Sequence, residues 1–262
     1  LVDIGRALGE LGVGMTPEQL DEALDERLLD IDMTLGAIIE SLKTSVGLIL
    51  AIDESRMLRI PGESFAFPYT DFLLQLDGLS ALADAVAERA AVDPFIAAER
   101  TEKWLVIRPA IRLPPPWNAY EPSVVENLDT GRMYLVSSPE FLAKCTSTVE
   151  GVAQTPDFGR AMEGLPANGN GLVYMSPRMT RQMHAGLDRV IEANGSSIGT
   201  SIARFFLPDV GYPVGWVAAN QSDGILFTSN TPSSHKSTLL TLGYAALLPA
   251  LAVIATSALD TK

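Results

Sequence analysis

Residues 123–142 read SVVENLDTGRMYLVSSPEFL and carry the strongest fold signal in the chain. Two apolar runs flank residues 129–131, which end in glycine, and a glycine there supplies the positive φ that a tight hairpin turn needs. Ser138 and Pro139 follow the second run directly. A serine that can cap the free N–H groups of a first turn, with proline at the first helical position, begins a helix. The stretch therefore predicts an antiparallel hairpin that leads into a helix ending near residue 149.

The same step from a hydroxyl residue to a proline begins three other predicted helices. The hydroxyl oxygen accepts a hydrogen bond from the first turn, and the proline already has a helical φ. Because each hydroxyl is occupied in this way, these residues are poor candidates for a nucleophile. The three helices are expected over residues 17–29 after Thr16, residues 156–164 after Thr155 and residues 177–191 after Ser176.

Short apolar runs between turn residues predict the remaining strands. Residues 46–52 are apolar and bounded by polar residues, which suits a buried strand. Residues 53–56 are predicted to turn the chain, so that residues 57–60 pair back as a hairpin. Further strands are expected over residues 65–76, 104–107 with an extension at 111–113, 172–175, 215–219 and 225–228, and further helices over residues 33–43 and 80–91.

Three consecutive prolines, at residues 114–116, end the strand that precedes them. Proline has no N–H for a strand ladder, and a run of prolines favours an extended, polyproline-like backbone. Such segments also serve as ligands for aromatic grooves, but a rigid loop is the favoured interpretation.

Together these elements predict an α+β fold, in which short antiparallel strand hairpins alternate with Ser/Thr-Pro-capped helices packed on the sheet. We expect an N-terminal helical segment over residues 1–44, the α+β domain over residues 45–236, and an apolar C-terminal segment over residues 237–262. Residues 1–11 show no cationic stretch followed by an apolar run, so we expect a signal sequence and the natural N-terminus to lie upstream of this chain.

The C-terminal segment leaves two alternatives open. Residues 237–259 contain no charged side chain and are long enough to cross the hydrocarbon core of a bilayer. Pro249 and several hydroxyl residues suit a buried helix that bends at the proline equally well. Membrane association through residues 237–259 and a buried helix are therefore both compatible with the sequence.

Charge and cysteine content exclude several classes of function. The chain has 32 acidic against 19 basic residues and a net charge of -13. Because neutralisation of phosphates by Lys and Arg supplies most non-specific affinity for nucleic acid, we expect no nucleic-acid partner. A single cysteine, Cys145, rules out an internal disulfide and a multi-thiolate metal site.

The residues that could carry chemistry have structural explanations. Cys145 lies within a predicted helix without a nucleophile signature, which favours a small buried hydrophobe. His184 and His235 have no ligand at metal-site spacing and are expected at the surface. Asp53 and Glu54 belong to a predicted turn. The chain has no P-loop, dinucleotide fingerprint or G-x-S-x-G elbow, so we predict no catalytic, cofactor-binding or metal-binding residue.

Several stretches together resemble an uncharacterised family of exported bacterial proteins of unknown function. They are residues 46–61, residues 134–142 (YLVSSPEFL) and residues 170–175 (NGLVYM), and the helix pattern P-x-F-x-x-A-x-x-x-L-P of that family matches residues 156–166. The resemblance covers residues 45–230. It implies a cell-envelope location and an α+β fold, and it carries no active-site residue.

The sequence thus favours a non-catalytic extracytoplasmic domain, secreted or in the cell envelope, that binds a protein partner or an apolar ligand. A carrier of lipids or other hydrophobes is a variant of this hypothesis. The rival is a hydrolase whose site is assembled from distant strand ends. In that case His184 or His235 would meet a Ser or Cys nucleophile and a carboxylate.

Overall fold

The computed structural model describes residues 16–27, 33–42, 46–59, 66–147, 151–208, 210–222 and 224–231. In this part of the chain the fold is α+β, as the sequence predicts. The helices are α1 (Pro17–Asp25), α2 (Leu35–Ser41), α3 (Ser80–Arg89), α4 (Pro139–Ser147), α5 (Pro156–Met162), α6 (Pro177–Asn194) and α7 (Ile198–Phe206). The strands are β1 (Val46–Arg59), β2 (Ala66–Asp77), β3 (Ile96–Arg100), β4 (Trp104–Pro109), β5 (Ser123–Asn127), β6 (Arg132–Val136), β7 (Gly171–Met175), β8 (Val214–Gln221) and β9 (Gly224–Asn230).

The chain divides into two compact units. The first contains the described residues within 1–53 and 69–147, and the second contains those within 54–68 and 148–262. The domain boundaries expected after residues 44 and 236 stay predictions, and residues 237–259 lie outside the described residues.

The six-stranded sheet has the order β1-β2-β6-β5-β4-β3, and its core lies on both faces. On one face Val136 and its neighbours pack against Phe141 and Leu142 of α4. On the other face Leu105 and its neighbours pack against Leu79 and Ala83, at the start and middle of α3. Side chains alternate between the faces of a strand, and fully burying one large apolar side chain stabilises the fold by about 1.5–3 kcal/mol. The centre of this sheet is therefore covered from both sides.

The predicted β5–β6 hairpin is confirmed. Asn127 lies opposite Arg132, and Gly131 has a φ of 66°. The Gly131 N–H donates to the Asn127 carbonyl at 2.8 Å, which closes the turn.

All four predicted helix caps are present. In each, a backbone N–H in the first turn donates to the hydroxyl oxygen at the N-cap, so a free donor of the helix terminus is satisfied. The pairs are Gln19 to Thr16 at 3.3 Å, Phe141 to Ser138 at 3.2 Å, Phe158 to Thr155 at 3.3 Å and Met179 to Ser176 at 3.2 Å.

The second sheet has the order β7-β8-β9, and α5 packs closely across its central strand. A Cβ atom on Gly215 would lie 2.1 Å from the Ala161 carbonyl oxygen, so only glycine allows this approach. The Asn230 amide donates to the Arg160 carbonyl at 2.8 Å and to the Glu163 carbonyl at 3.2 Å, which fixes the end of α5 against β9.

The turn predicted at residues 53–56 is wrong, because the backbone continues as one strand from Val46 to Arg59. Residues 53–56 contain no glycine, proline or asparagine, so nothing in them forces a turn. Asp53 and Glu54 are therefore strand residues, and the hairpin predicted between residues 46–52 and 57–60 does not exist.

Other boundaries also differ from the prediction. The helix expected to reach residue 29 ends at Asp25, and the strand extension expected at residues 111–113 is absent because β4 ends at Pro109. Pro116 has φ -85° and ψ -2°, a helical rather than a polyproline conformation. Two elements were missed: β3, whose alanine and charged residues have low strand propensity, and α7.

Candidate functional site

One edge of the six-stranded sheet is apolar and exposed. Within the described residues β1 pairs only with β2. The exposed fractions are 62% for Val46, 49% for Leu48, 45% for Ile49 and 37% for Leu50. Residues 46–52 form a strand as predicted, but the prediction that this strand is buried is wrong. Much of its apolar side-chain surface has no cover among the described residues.

This edge lacks the usual protection of an edge strand. An edge presents free backbone N–H and C=O groups, and proteins normally protect it with charged side chains, proline or short length. Residues 46–52 of β1, which we name the open edge, read VGLILAI and contain none of these devices. The open edge can therefore accept another strand.

Apolar side chains flank the open edge on both faces of the sheet. Ala51 packs on the core beside α4, and a Cβ on Gly47 would lie 3.6 Å from the Gln75 Cβ. Strand alternation places Ile49 on that same face, and Val46, Leu48 and Leu50 on the other. A strand added here would gain backbone hydrogen bonds and apolar contacts above and below the sheet.

Cys145 lies in α4, partly buried, and packs against the core cluster that contains Val136. Burial raises the pKa of the Cys145 thiol, the negative charge of Asp71 raises it further, and the positive charge of Lys144 opposes both. The thiolate is the nucleophilic form, so this environment makes Cys145 a poor nucleophile.

The two histidines do not assemble a site among the described residues. His184 is part-buried in α6 rather than at the surface as predicted, and its Nε2 lies 2.7 Å from the Pro208 carbonyl oxygen. His235 lies outside the described residues. No group of three or more His, Cys, Asp or Glu side chains that could hold a metal ion occurs in the part of the chain that the structure describes. No observation there favours the hydrolase alternative.

A buried Ser–Asp pair was missed by sequence reasoning. Ser137 is fully buried, and its hydroxyl donates to Asp71 Oδ1 at 2.6 Å and accepts from the Phe72 N–H at 3.2 Å. The Ser137 N–H donates to the Phe72 carbonyl at 2.9 Å. These bonds join the end of β6 to β2. They occupy the hydroxyl in a structural role, and no local pattern could link residues this far apart in the chain.

Glu126 is the most unusual charged residue of the first unit. It is only 3% exposed on β5, opposite Leu105 and Met133. Its Oε2 has no hydrogen-bond partner among the described residues. A buried carboxyl oxygen without a hydrogen-bond partner costs stability, so Glu126 is expected to destabilise the core.

None of the helices in the described ranges is long and apolar enough to cross a membrane.

Comparison with protein-family models, with curated proteins and with solved structures gives no match for this chain. The resemblance to exported bacterial proteins therefore stays a prediction, and the open edge of β1 is the feature on which a function can be argued.

Proposed function

We propose that this protein is a non-catalytic binding module of the cell envelope whose protein partner is a second copy of the same chain. The two copies join through their open edges by antiparallel strand pairing. The extracytoplasmic location rests on the sequence resemblance alone. The binding role rests on the open edge.

The single observation that carries the proposal is the exposure of Val46, Leu48, Ile49 and Leu50 along an edge without charge or proline. Contiguous exposed apolar surface marks sites of protein interaction. Each facing pair of apolar side chains across the new strand boundary contributes roughly 0.2–1 kcal/mol. Each backbone hydrogen bond that forms at the edge adds specificity for an extended chain.

The open edge is complementary to itself. In a two-fold antiparallel pairing centred on Ile49, Leu48 of one copy lies opposite Leu50 of the other, and Val46 lies opposite Ile52. Every facing pair within residues 46–52 is then apolar, and residue 53, an aspartate, faces residue 45, a serine. An interface of this symmetry closes after two copies and forms a dimer.

The expected affinity is modest. A single pair of seven-residue strands is small compared with the interfaces of permanent dimers. We therefore expect a concentration-dependent equilibrium with a Kd of about 1–100 μM.

Sedimentation velocity of the full chain tests the proposal. We expect the mean mass to rise from monomer toward dimer as the concentration passes through the micromolar range. Ile49→Lys places a charge in the centre of the open edge and should leave a monomer. Val92→Lys makes the same change at a side chain that is 78% exposed outside β1, and should leave the dimer intact. A wild-type chain that stays monomeric over this range contradicts the proposal.

A further inference from the structure

The first unit contains a cleft of about 380 Å³ between the end of β4, the proline-rich loop that follows it and the start of β5. This volume lies within the range that small-molecule sites occupy, roughly 300–1,000 Å³. Two arginines, Arg108 and Arg112, line the cleft together with apolar side chains. We name it the arginine cleft.

The two arginines have no protein partner in the described part of the chain. Neither the Arg108 side chain nor the Arg112 side chain makes an ion pair or hydrogen bond there, whereas Arg100 pairs with Asp84 and Arg89 with Asp93 in the same unit. Two cationic side chains on one cleft stand out in a chain whose net charge is -13. A guanidinium presents planar donors that match carboxylate and phosphate oxygens in pairs.

Apolar side chains form much of the remaining wall. Ile111 is 50% exposed, Leu113 is partly buried, and Pro109 and Pro122 stand at the two ends of the loop. A ligand that paired with the arginines could therefore also bury an apolar part of its own structure against these side chains.

The rim of the cleft is held in place by its neighbours. The Tyr120 ring stacks on Tyr69 with centroids 4.6 Å apart. The Glu121 N–H donates to the Ser137 carbonyl at 3.0 Å, and the Ala110 N–H donates to the Phe95 carbonyl at 2.8 Å. The loop does not need to be ordered by a ligand, and preorganisation of this kind reduces the cost of binding.

We propose that the arginine cleft binds a small organic carboxylate with an apolar body. Its carboxylate is held by Arg108 and Arg112, and its body lies on Ile111 and Leu113. The Glu121 carboxylate also lines the cleft, so two arginines and one glutamate leave a local charge of +1. One carboxylate neutralises this local charge, whereas a phosphate dianion would bring a second negative charge close to the Glu121 carboxylate without a cationic partner for it.

Octanoate is the probe, titrated into the full chain by isothermal calorimetry, with octanol and octyl phosphate as comparisons. We expect octanoate to bind at least about tenfold more tightly than octanol, because only the acid offers a charged partner to the arginines. Octanoate should also bind more tightly than octyl phosphate. Tighter binding of octyl phosphate would overturn the preference for a carboxylate, and equal binding of octanoate and octanol would overturn the role of the arginines.

Substitutions of the arginines and of Glu121 in the cleft should change the octanoate affinity in opposite directions. Arg108→Gln and Arg112→Gln should each weaken octanoate binding by about tenfold or more, since each removes a charge-assisted hydrogen bond. Glu121→Gln should strengthen it, because a repulsive charge is removed. Arg132→Gln is the matched control: Arg132 is another exposed arginine whose side chain has no partner among the described residues, and it lies at the opposite end of the β5–β6 hairpin.

Two results would overturn the roles proposed for the two arginines and for Glu121. One is octanoate affinity that is unchanged in Arg108→Gln and Arg112→Gln while both variants unfold at the wild-type temperature. The other is octanoate binding that does not strengthen in Glu121→Gln, and this arm stands even where an arginine variant folds poorly. The arginine cleft shares no residue with the open edge, so Ile49→Lys should leave octanoate affinity unchanged.

Discussion

The two edges of the six-stranded sheet differ in the features that decide whether an edge strand pairs with another chain. β3 has five residues, and it ends in Glu99 and Arg100, which are both exposed. Arg100 also forms an ion pair with Asp84 of α3. The open edge of β1 begins a strand of fourteen residues, and seven consecutive positions of it carry no charge. Short, charged edges resist pairing with other chains, and long, apolar edges invite it.

This difference indicates that protection of the edge is not a general property of the sheet. Among the described residues β3 is protected and the open edge of β1 is exposed, which is the pattern expected where one edge is an interface. Residues 46–52 are misleading in the sequence for a related reason. A run of apolar residues signals that the strand will be covered, but it does not say whether the cover comes from the same chain or from another.

The largest expected effect comes from introducing charges at two positions that face each other across the proposed dimer. With Leu48→Glu and Leu50→Glu together, like charges lie opposite each other in the two-fold register, and the dimer should weaken by more than about 100-fold. With Leu48→Glu and Leu50→Arg, opposite charges face each other, and much of that loss should be recovered. Sedimentation equilibrium measures both. Equal loss in the two double variants would contradict the register.

The second effect is a loss of stability when the hydrogen bonds that join β2, the strand next to the open edge, to the end of β6 are removed. Ser137→Ala leaves Asp71 Oδ1 and the Phe72 N–H without their partner on β6, and should lower the free energy of unfolding by about 1–3 kcal/mol. Ser147→Ala is the control, because its hydroxyl makes one long bond at an exposed position. Urea unfolding at low protein concentration gives both values. The dimer affinity of the folded chain should not change, since the chemistry of the edge is intact.

A smaller effect is expected at the centre of the sheet, between the two edges. Glu126→Leu replaces a buried carboxyl group, whose Oε2 lacks a partner among the described residues, with an apolar side chain of similar volume, and should raise the free energy of unfolding by about 1–2 kcal/mol. Thermal unfolding measures this against Glu126→Gln, which keeps the shape of the side chain. A loss of stability in Glu126→Leu would show that the carboxylate has a partner or a role.

The smallest effect is expected at the protected edge. Arg100→Gln removes an ion pair whose side chains are about half exposed, and such pairs contribute about 0–1 kcal/mol. Because Glu99 remains, the variant should show no new association in sedimentation. If Arg100→Gln formed higher oligomers, a single charge would be the whole protection of β3.

The sequence predicts the parts of this fold that local chemistry decides. The four helix caps and the glycine turn at Gly131 depend on residues within a few positions of each other, and all are confirmed. Their signals are specific because a hydroxyl beside a proline, or a glycine with positive φ, has few other uses.

The candidate site could not be predicted, because it depends on the order of the strands. Nothing within residues 46–52 distinguishes an edge strand from a central one, and the continuation of β1 through residues 53–56 depends on pairing with β2. The Ser137–Asp71 bond and the arginine cleft likewise join residues from separate elements. Strand order is a property of the whole sheet rather than of any local stretch.

Disulfide trapping tests the self-pairing of the open edge most directly. In a two-fold register centred on Ile49, residue 49 of each copy lies opposite its counterpart, with Cα atoms roughly 4.5–5.5 Å apart, a distance that a disulfide can span. In a Cys145→Ala background, Ile49→Cys should form a covalent dimer rapidly on mild oxidation, and Val46→Cys, which faces Ile52, should form one slowly. Equal rates at the two positions, or no covalent dimer from Ile49→Cys, would contradict the account.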